Sequence, residues 1–121
     1  MIRPATPSGG PYDRYGDGRY LLSAMEIAEF WAAYAPDDRD HPLLTPFCAD
    51  LAGLPPSLLV VAEHDVLADD SRRLHARMHA AGVTSTLNQY PGTVHSFLEA
   101  AAVAPVAEQA LNDTARWIQD R

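Results

Sequence analysis

The sequence predicts an α/β fold with parallel strands, and three observations carry that prediction. The 121 residues suffice for one domain around one core. Two strand-like runs, Leu58 to Ala62 and Thr84 to Tyr90, are each followed by a segment with helical periodicity. An acid and an imidazole, Asp65 and His95, stand just past those runs, at the strand ends where open α/β sheets meet their ligands.

Composition narrows the function classes. With 47% hydrophobic and 21% charged residues the chain lies in the globular range rather than the disordered one. Sixteen acidic against nine basic residues, all of them Arg, give a formal charge of −7, which argues against a nucleic-acid or anionic-membrane partner. Cys48 is alone and cannot close an internal disulfide, Met1 to Ala5 carries no apolar signal core, and no apolar run is long enough to span a bilayer. The expectation is a reduced, cytoplasmic chain.

Taken in order, Pro4 to Gly18 is dense in Pro and Gly and reads as loop. Ser23 and Glu26 have capping-box spacing, and Ile27, Phe30, Trp31 and Tyr34 follow on one helical face until Pro36 ends the helix. Asp37 to Pro56 is again irregular, with room for a helical turn at Asp50 to Leu54. Leu58 to Ala62 then reads as a strand covered on both faces. The next helix runs from about Asp69 to Ala81; Leu67, Leu74, Met78 and Ala81 share its apolar face, Asp69 and Asp70 suit its N-terminus, and Gly82 stops it. Thr84 to Tyr90 is a more polar strand, as an edge would be, ended by Pro91 and Gly92. Pro105 opens a last helix with Ala107, Leu111, Thr114 and Ile118 on the face toward the sheet.

In nucleophilic catalysis a carboxylate orients a histidine, which takes the proton from a serine or cysteine attacking a carbonyl carbon. Asp65 and His95 fit the last two roles. Ser8, Ser23 and Ser57 precede Asp65, but none sits in a G-x-S-x-G elbow.

The segments Ala62-Glu63-His64-Asp65-Val66-Leu67-Ala68-Asp69-Asp70, Ala81-Gly82-Val83 and Tyr90-Pro91-Gly92-Thr93-Val94-His95-Ser96-Phe97 resemble the C-terminal part of the hormone-sensitive-lipase-like branch of the α/β-hydrolases. Asp65 matches the catalytic acid of its D-x-L-x-D-[DE] block, and His95 the histidine of its Y-x-G-x-x-H-G-F block, with Ser96 standing where the family usually has Gly. The resemblance extends over nearly the whole chain: Tyr20 through Tyr34 matches the helix after the sixth strand, and Met1 to Pro4 the end of that strand. It implies a partial α/β-hydrolase fold of about three parallel strands, the sixth to eighth of the family, with Met1 to Ala5 beside Leu58 to Ala62 and Thr84 to Tyr90 on the other side. Residues 1–56 then form a lid or connection region with one helix, and residues 57–121 a strand-helix-strand-helix unit carrying the acid and histidine.

The resemblance also implies a carboxylic ester hydrolase whose serine, elbow and oxyanion loop lie upstream of this chain, so that the chain alone is inactive. It implies no cofactor and no metal. The partner is a small-molecule ester once an N-terminal segment completes the site, with Val66 and Phe97 as substrate-binding candidates. Self-association or a complementing chain, as in a split esterase, would cover the unpaired strand edge and the aromatic stripe. A non-catalytic binding or regulatory module of the same fold is the alternative. His75 and His79, at i and i+4, read as an exposed helix face rather than a metal site, because no H-E-x-x-H pattern surrounds them. Cys48 reads as a buried packing group, and the stripe from Ile27 to Tyr34 as core or as the wall of an acyl pocket.

Overall fold

A computed structural model describes residues 8–37 and 40–121. The strand expected at Met1 to Ala5 lies outside the described residues. Six main elements follow in order: α1 (Pro11–Tyr15), α2 (Ala24–Tyr34), β1 (Ser57–His64), α3 (Ala68–Ala80), β2 (Ser85–Val94) and α4 (Pro105–Gln119). β1 and β2 pair in parallel, with α3 as the crossover, so the strand-helix-strand-helix order is as the sequence predicts. Among the described residues the sheet has these two strands.

The ladder runs in register from Ser57 opposite Ser85 to Ala62 opposite Tyr90, and then breaks. His64 faces Val94, so two steps along β1 match four along β2. The expectation that Pro91 and Gly92 end the second strand is therefore wrong. Pro91 lacks the N–H that a ladder position needs, and it falls in the unpaired insertion, where none is required. Gly92 takes a φ of 69° there, a value that favours glycine. Pairing resumes beyond the insertion and carries β2 to Val94.

The core sits where α3 crosses the sheet: Met78 packs with Leu51 and Val83, bordered by Leu59 and Leu74. β1 is fully covered only at Val61 and Ala62 and is half-buried elsewhere. The face expected for α4 is rotated in the structure. Ala107 and Ala110 are completely buried, whereas Leu111 and Ile118 are largely exposed. Residues 107, 110, 114 and 117 form a continuous 3-4-3 stripe, in which small Ala side chains let the helix approach closely and Trp117 Nε1 donates to Thr86 Oγ1 at 3.3 Å. Large apolar residues misled the reading of this helix because it packs through its small ones.

Residues 8–56 hold more helix than expected. Pro11 sits in the first turn of α1, inside the stretch read as loop. The turn expected at Asp50 to Leu54 is preceded by a 3₁₀ turn at Pro46–Cys48, again opened by a proline, and Cys48 is exposed rather than buried. α2 has the predicted capping box: Ser23 Oγ accepts from the Glu26 N–H at 3.1 Å, and Glu26 Oε2 accepts from the Ser23 N–H at 2.9 Å. No helix among the described residues is long and apolar enough to cross a membrane.

Candidate functional site

Asp65 follows the last residue of β1, and His95 follows the last residue of β2, so the parallel pairing brings both to one rim. His95 Nδ1 lies 2.9 Å from Asp65 Oδ2. The other carboxylate oxygen, Oδ1, accepts from the Leu67 N–H at 2.9 Å, which ties the acid to the start of α3. Asp65 is 8% exposed and its carboxylate has both oxygens engaged, so it has little freedom to turn away. A carboxylate accepts, so Nδ1 is the donor, and the neutral ring keeps a free lone pair on Nε2.

Ser96 carries the backbone around the corner after His95 with φ 59° and ψ 20°, in the left-handed region. A Cβ there is disfavoured by roughly 1–2 kcal/mol, which is a physical reason for glycine at this position in the resembling family. The serine does not separate His95 from Asp65. Phe97 begins a short 3₁₀ turn, Phe97–Ala100, and its ring packs on Tyr90 with centroids 5.6 Å apart.

His95 also forms part of the wall of an apolar cavity of about 470 Å³. α2 supplies Ile27, Phe30, Trp31 and Tyr34, so the aromatic stripe read from the sequence is a cavity wall; Tyr12, Leu22, Leu67 and Asp70 complete it with His95. The two residues expected to contact substrate lie elsewhere. Val66 is 2% exposed and Phe97 is turned onto Tyr90, and neither lines this cavity. Burial raises the pKa of Asp70 above its ordinary value, with Asp69 and Asp65 adding and Arg73 opposing. Tyr12 is likewise pushed up, first by burial and then by the negative charges of Asp70 and Asp65.

Sequence reasoning missed Tyr12, because it lies in an unrecognised helix, although Pro11 after Gly10 is a helix-start signal. It also missed the environment of His64, whose ring stacks on Tyr20 at 5.6 Å and meets Tyr15 edge-on at 5.4 Å. The other histidine pair is engaged in packing. His75 Nδ1 lies 2.7 Å from the Ser85 hydroxyl, and its ring meets His79 edge-on at 4.6 Å.

A family model described as the alpha/beta hydrolase fold matches residues 1–99. The chain belongs to this family. An acetyl esterase from Salmonella paratyphi B is 40% identical over 86 residues, covering 70% of this chain and 27% of that protein. A carboxylesterase, NlhH, from Mycobacterium tuberculosis is 41% identical over 96 residues, 74% of this chain and 30% of its own length. An esterase from Pyrobaculum calidifontis superposes on 95% of this α/β-hydrolase chain with a TM-score of 0.87 at 28% identity. A thermostable esterase from Pseudomonas putida does so on 93% with a TM-score of 0.79 at 31% identity. The chain spans 39% and 37% of those two structures, and less than a third of the curated relatives.

Proposed function

We propose that this chain supplies the acid and the general base of a carboxylic ester hydrolase. The observation that carries the reading is the 2.9 Å bond between His95 Nδ1 and Asp65 Oδ2, held at the strand ends beside an apolar cavity. Asp65 fixes the tautomer, and Nε2 of His95 accepts the proton of a serine hydroxyl as its oxygen bonds to the ester carbonyl carbon. The carbon–oxygen bond to the alcohol then breaks, and His95 returns the proton to the departing alkoxide. Water repeats the cycle on the acyl-serine and regenerates the hydroxyl.

No G-x-S-x-G segment occurs in these residues. In this reading the serine and the oxyanion donors come from a segment outside them, either N-terminal in a longer protein or on a complementing chain. The exposed side chains of Phe30 and Tyr34, 61% and 76% accessible, are surfaces such a segment would cover. The lone Cys48 and the acidic charge suit the cytoplasm. The esterase names of the relatives and the apolar cavity support a small ester with an apolar group as substrate.

The test is a fusion of this chain behind the N-terminal portion of the Mycobacterium tuberculosis carboxylesterase, assayed on a short-chain aryl ester. Turnover is expected. His95→Ala should lower it by about a million-fold and Asp65→Asn by about ten-thousand-fold, the scale seen when triad members are removed. A folded, active fusion indifferent to both substitutions would sink the proposal.

A further inference from the structure

The insertion in β2, where Pro91, Gly92 and Thr93 stand opposite Glu63 alone, is separated from His95 by Val94, and side chains from both strands hold it in place. Thr93 is 3% exposed. Its hydroxyl donates to the Tyr90 carbonyl at 2.6 Å and accepts from the Glu63 N–H at 3.2 Å, so one side chain ties the two ends of the insertion together and joins them to β1. From the other strand, Glu63 Oε2 accepts from the Gly92 N–H at 2.6 Å and lies 3.9 Å from His64 Nδ1. Each bond spans the point where the ladder register breaks. The ladder resumes only at His64 opposite Val94, so the conformation of the insertion decides which residue of β2 meets the end of β1, and with it the spacing of Asp65 and His95.

We propose that Thr93 and Glu63 are positioning residues: they clamp the Pro91–Gly92–Thr93 insertion to the end of β1 and so set the approach of His95 to Asp65. This deepens the esterase reading and rests on it for its functional meaning. The physical argument is one of backbone satisfaction. Without the Thr93 hydroxyl, the Glu63 N–H and the Tyr90 carbonyl lose partners in a half-buried region, and the insertion relaxes toward conformers that restore them. Relaxation of the insertion by one residue would shift which residue pairs with His64, at present Val94, and so move His95 relative to Asp65.

The readout is the Nδ1–H proton of His95, which a bond to carboxylate shifts downfield and protects from exchange, followed by NMR on the full chain labelled with ¹⁵N. Asp65→Asn identifies the resonance by displacing it. Thr93→Val keeps the shape of the buried side chain and removes the hydroxyl; it should abolish the resonance or speed its exchange by about tenfold or more. Thr93→Ser should restore it, which a purely steric role for the threonine would not predict. Glu63→Ala, at a partly exposed position, cuts the Gly92 bond together with the longer His64 contact, leaves the Thr93 hydroxyl bonds in place, and decides the matter if Thr93→Val fails to fold: faster exchange is expected. Retention of wild-type exchange in a folded Thr93→Val, or in Glu63→Ala when the former does not fold, overturns the proposal, as does absence of the resonance from the parent chain. An inactive fusion with this behaviour intact would instead remove the esterase reading and leave the clamp standing.

Discussion

The β1–α3–β2 unit and the α2 helix bury their apolar residues in different ways. In the former, Met78 and Val83 close on Leu51 from the segment before β1, the ladder pairs the backbone, and Asp65 and His95 are held at its rim. α2 buries Ala24, Ile27 and Ala28, but Phe30 and Tyr34 remain exposed, and it shares no extensive packing with either strand. One region is complete enough to fix a charge-bearing pair in hydrogen-bond contact; the other forms a cavity wall that still has a surface to cover. The difference puts the Asp65–His95 pair on the better-buried unit and the apolar cavity wall on the helix whose aromatic side chains stay exposed.

The largest expected effect that tests this division is in the core. Met78→Ala removes the side chain that joins α3 to Leu51 and Val83, and the loss should be about 2–4 kcal/mol by the usual scale of buried large-to-small substitutions. Ile27→Ala in α2 should weaken the chain less and leave the His95 Nδ1–H resonance in place. Urea unfolding followed by both far-ultraviolet circular dichroism and that resonance makes the comparison. Equal losses, or disappearance of the resonance with Ile27→Ala, would show that the two regions form one cooperative body.

The legibility of the molecule in its sequence follows the same line. The strand-helix-strand order, the capping box at Ser23 and the meeting of Asp65 with His95 were all readable, because each depends on local pattern or on which strand end a residue follows. The course of β2 through Pro91 and Gly92 was not readable. A proline and a glycine normally end a strand, and only the cross-strand bonds of Thr93 and Glu63 show that pairing resumes. The α4 face was misread for a related reason: burial there follows close approach of Ala107 and Ala110, not side-chain hydrophobicity. Val66 is buried and Phe97 packs on Tyr90, and neither lines the cavity beside His95, a placement that adjacency in sequence to Asp65 and His95 does not set.

A smaller effect is expected at the start of α2. Ser23→Ala removes the two bonds of the Ser23 hydroxyl, one accepted from the Glu26 N–H and one donated to Glu26 Oε2, at a cost of about 1 kcal/mol. Its pH dependence has a definite sign. Glu26 titrates below its ordinary value because of the Ser23 hydroxyl first and the Ser23 N–H second, so its contribution is present at neutral pH and is lost as pH falls through the lowered value. The gap between variant and parent should therefore narrow in acid. If α2 is as weakly coupled to the sheet as its packing indicates, the loss should appear as reduced hydrogen-exchange protection of α2 with little change at β1.

The smallest effect expected is at Asp70, on the border between the two regions, and it should be a gain. Burial is the largest influence on this carboxylate and raises its pKa, while Arg73, 3.8 Å away, only partly offsets it. The folded chain therefore holds this proton more tightly than the unfolded chain does. Stability consequently falls as pH rises from the ordinary value of 3.8 through the raised folded value, and is flat above it. Asp70→Asn removes the charge whose burial is unfavourable, and should stabilise the chain near neutral pH by about a few tenths of a kcal/mol, since the side chain is 38% exposed and solvent screens most of the shift. The gain should vanish below the ordinary carboxylate value, where the aspartic acid is itself neutral in both states. Thermal melts of the two chains across that pH range test the claim. A loss at neutral pH would mean that the Arg73 pair and the α3 N-terminus outweigh the burial, and that the cavity wall at Asp70 already behaves as finished surface rather than as one waiting for an apolar occupant.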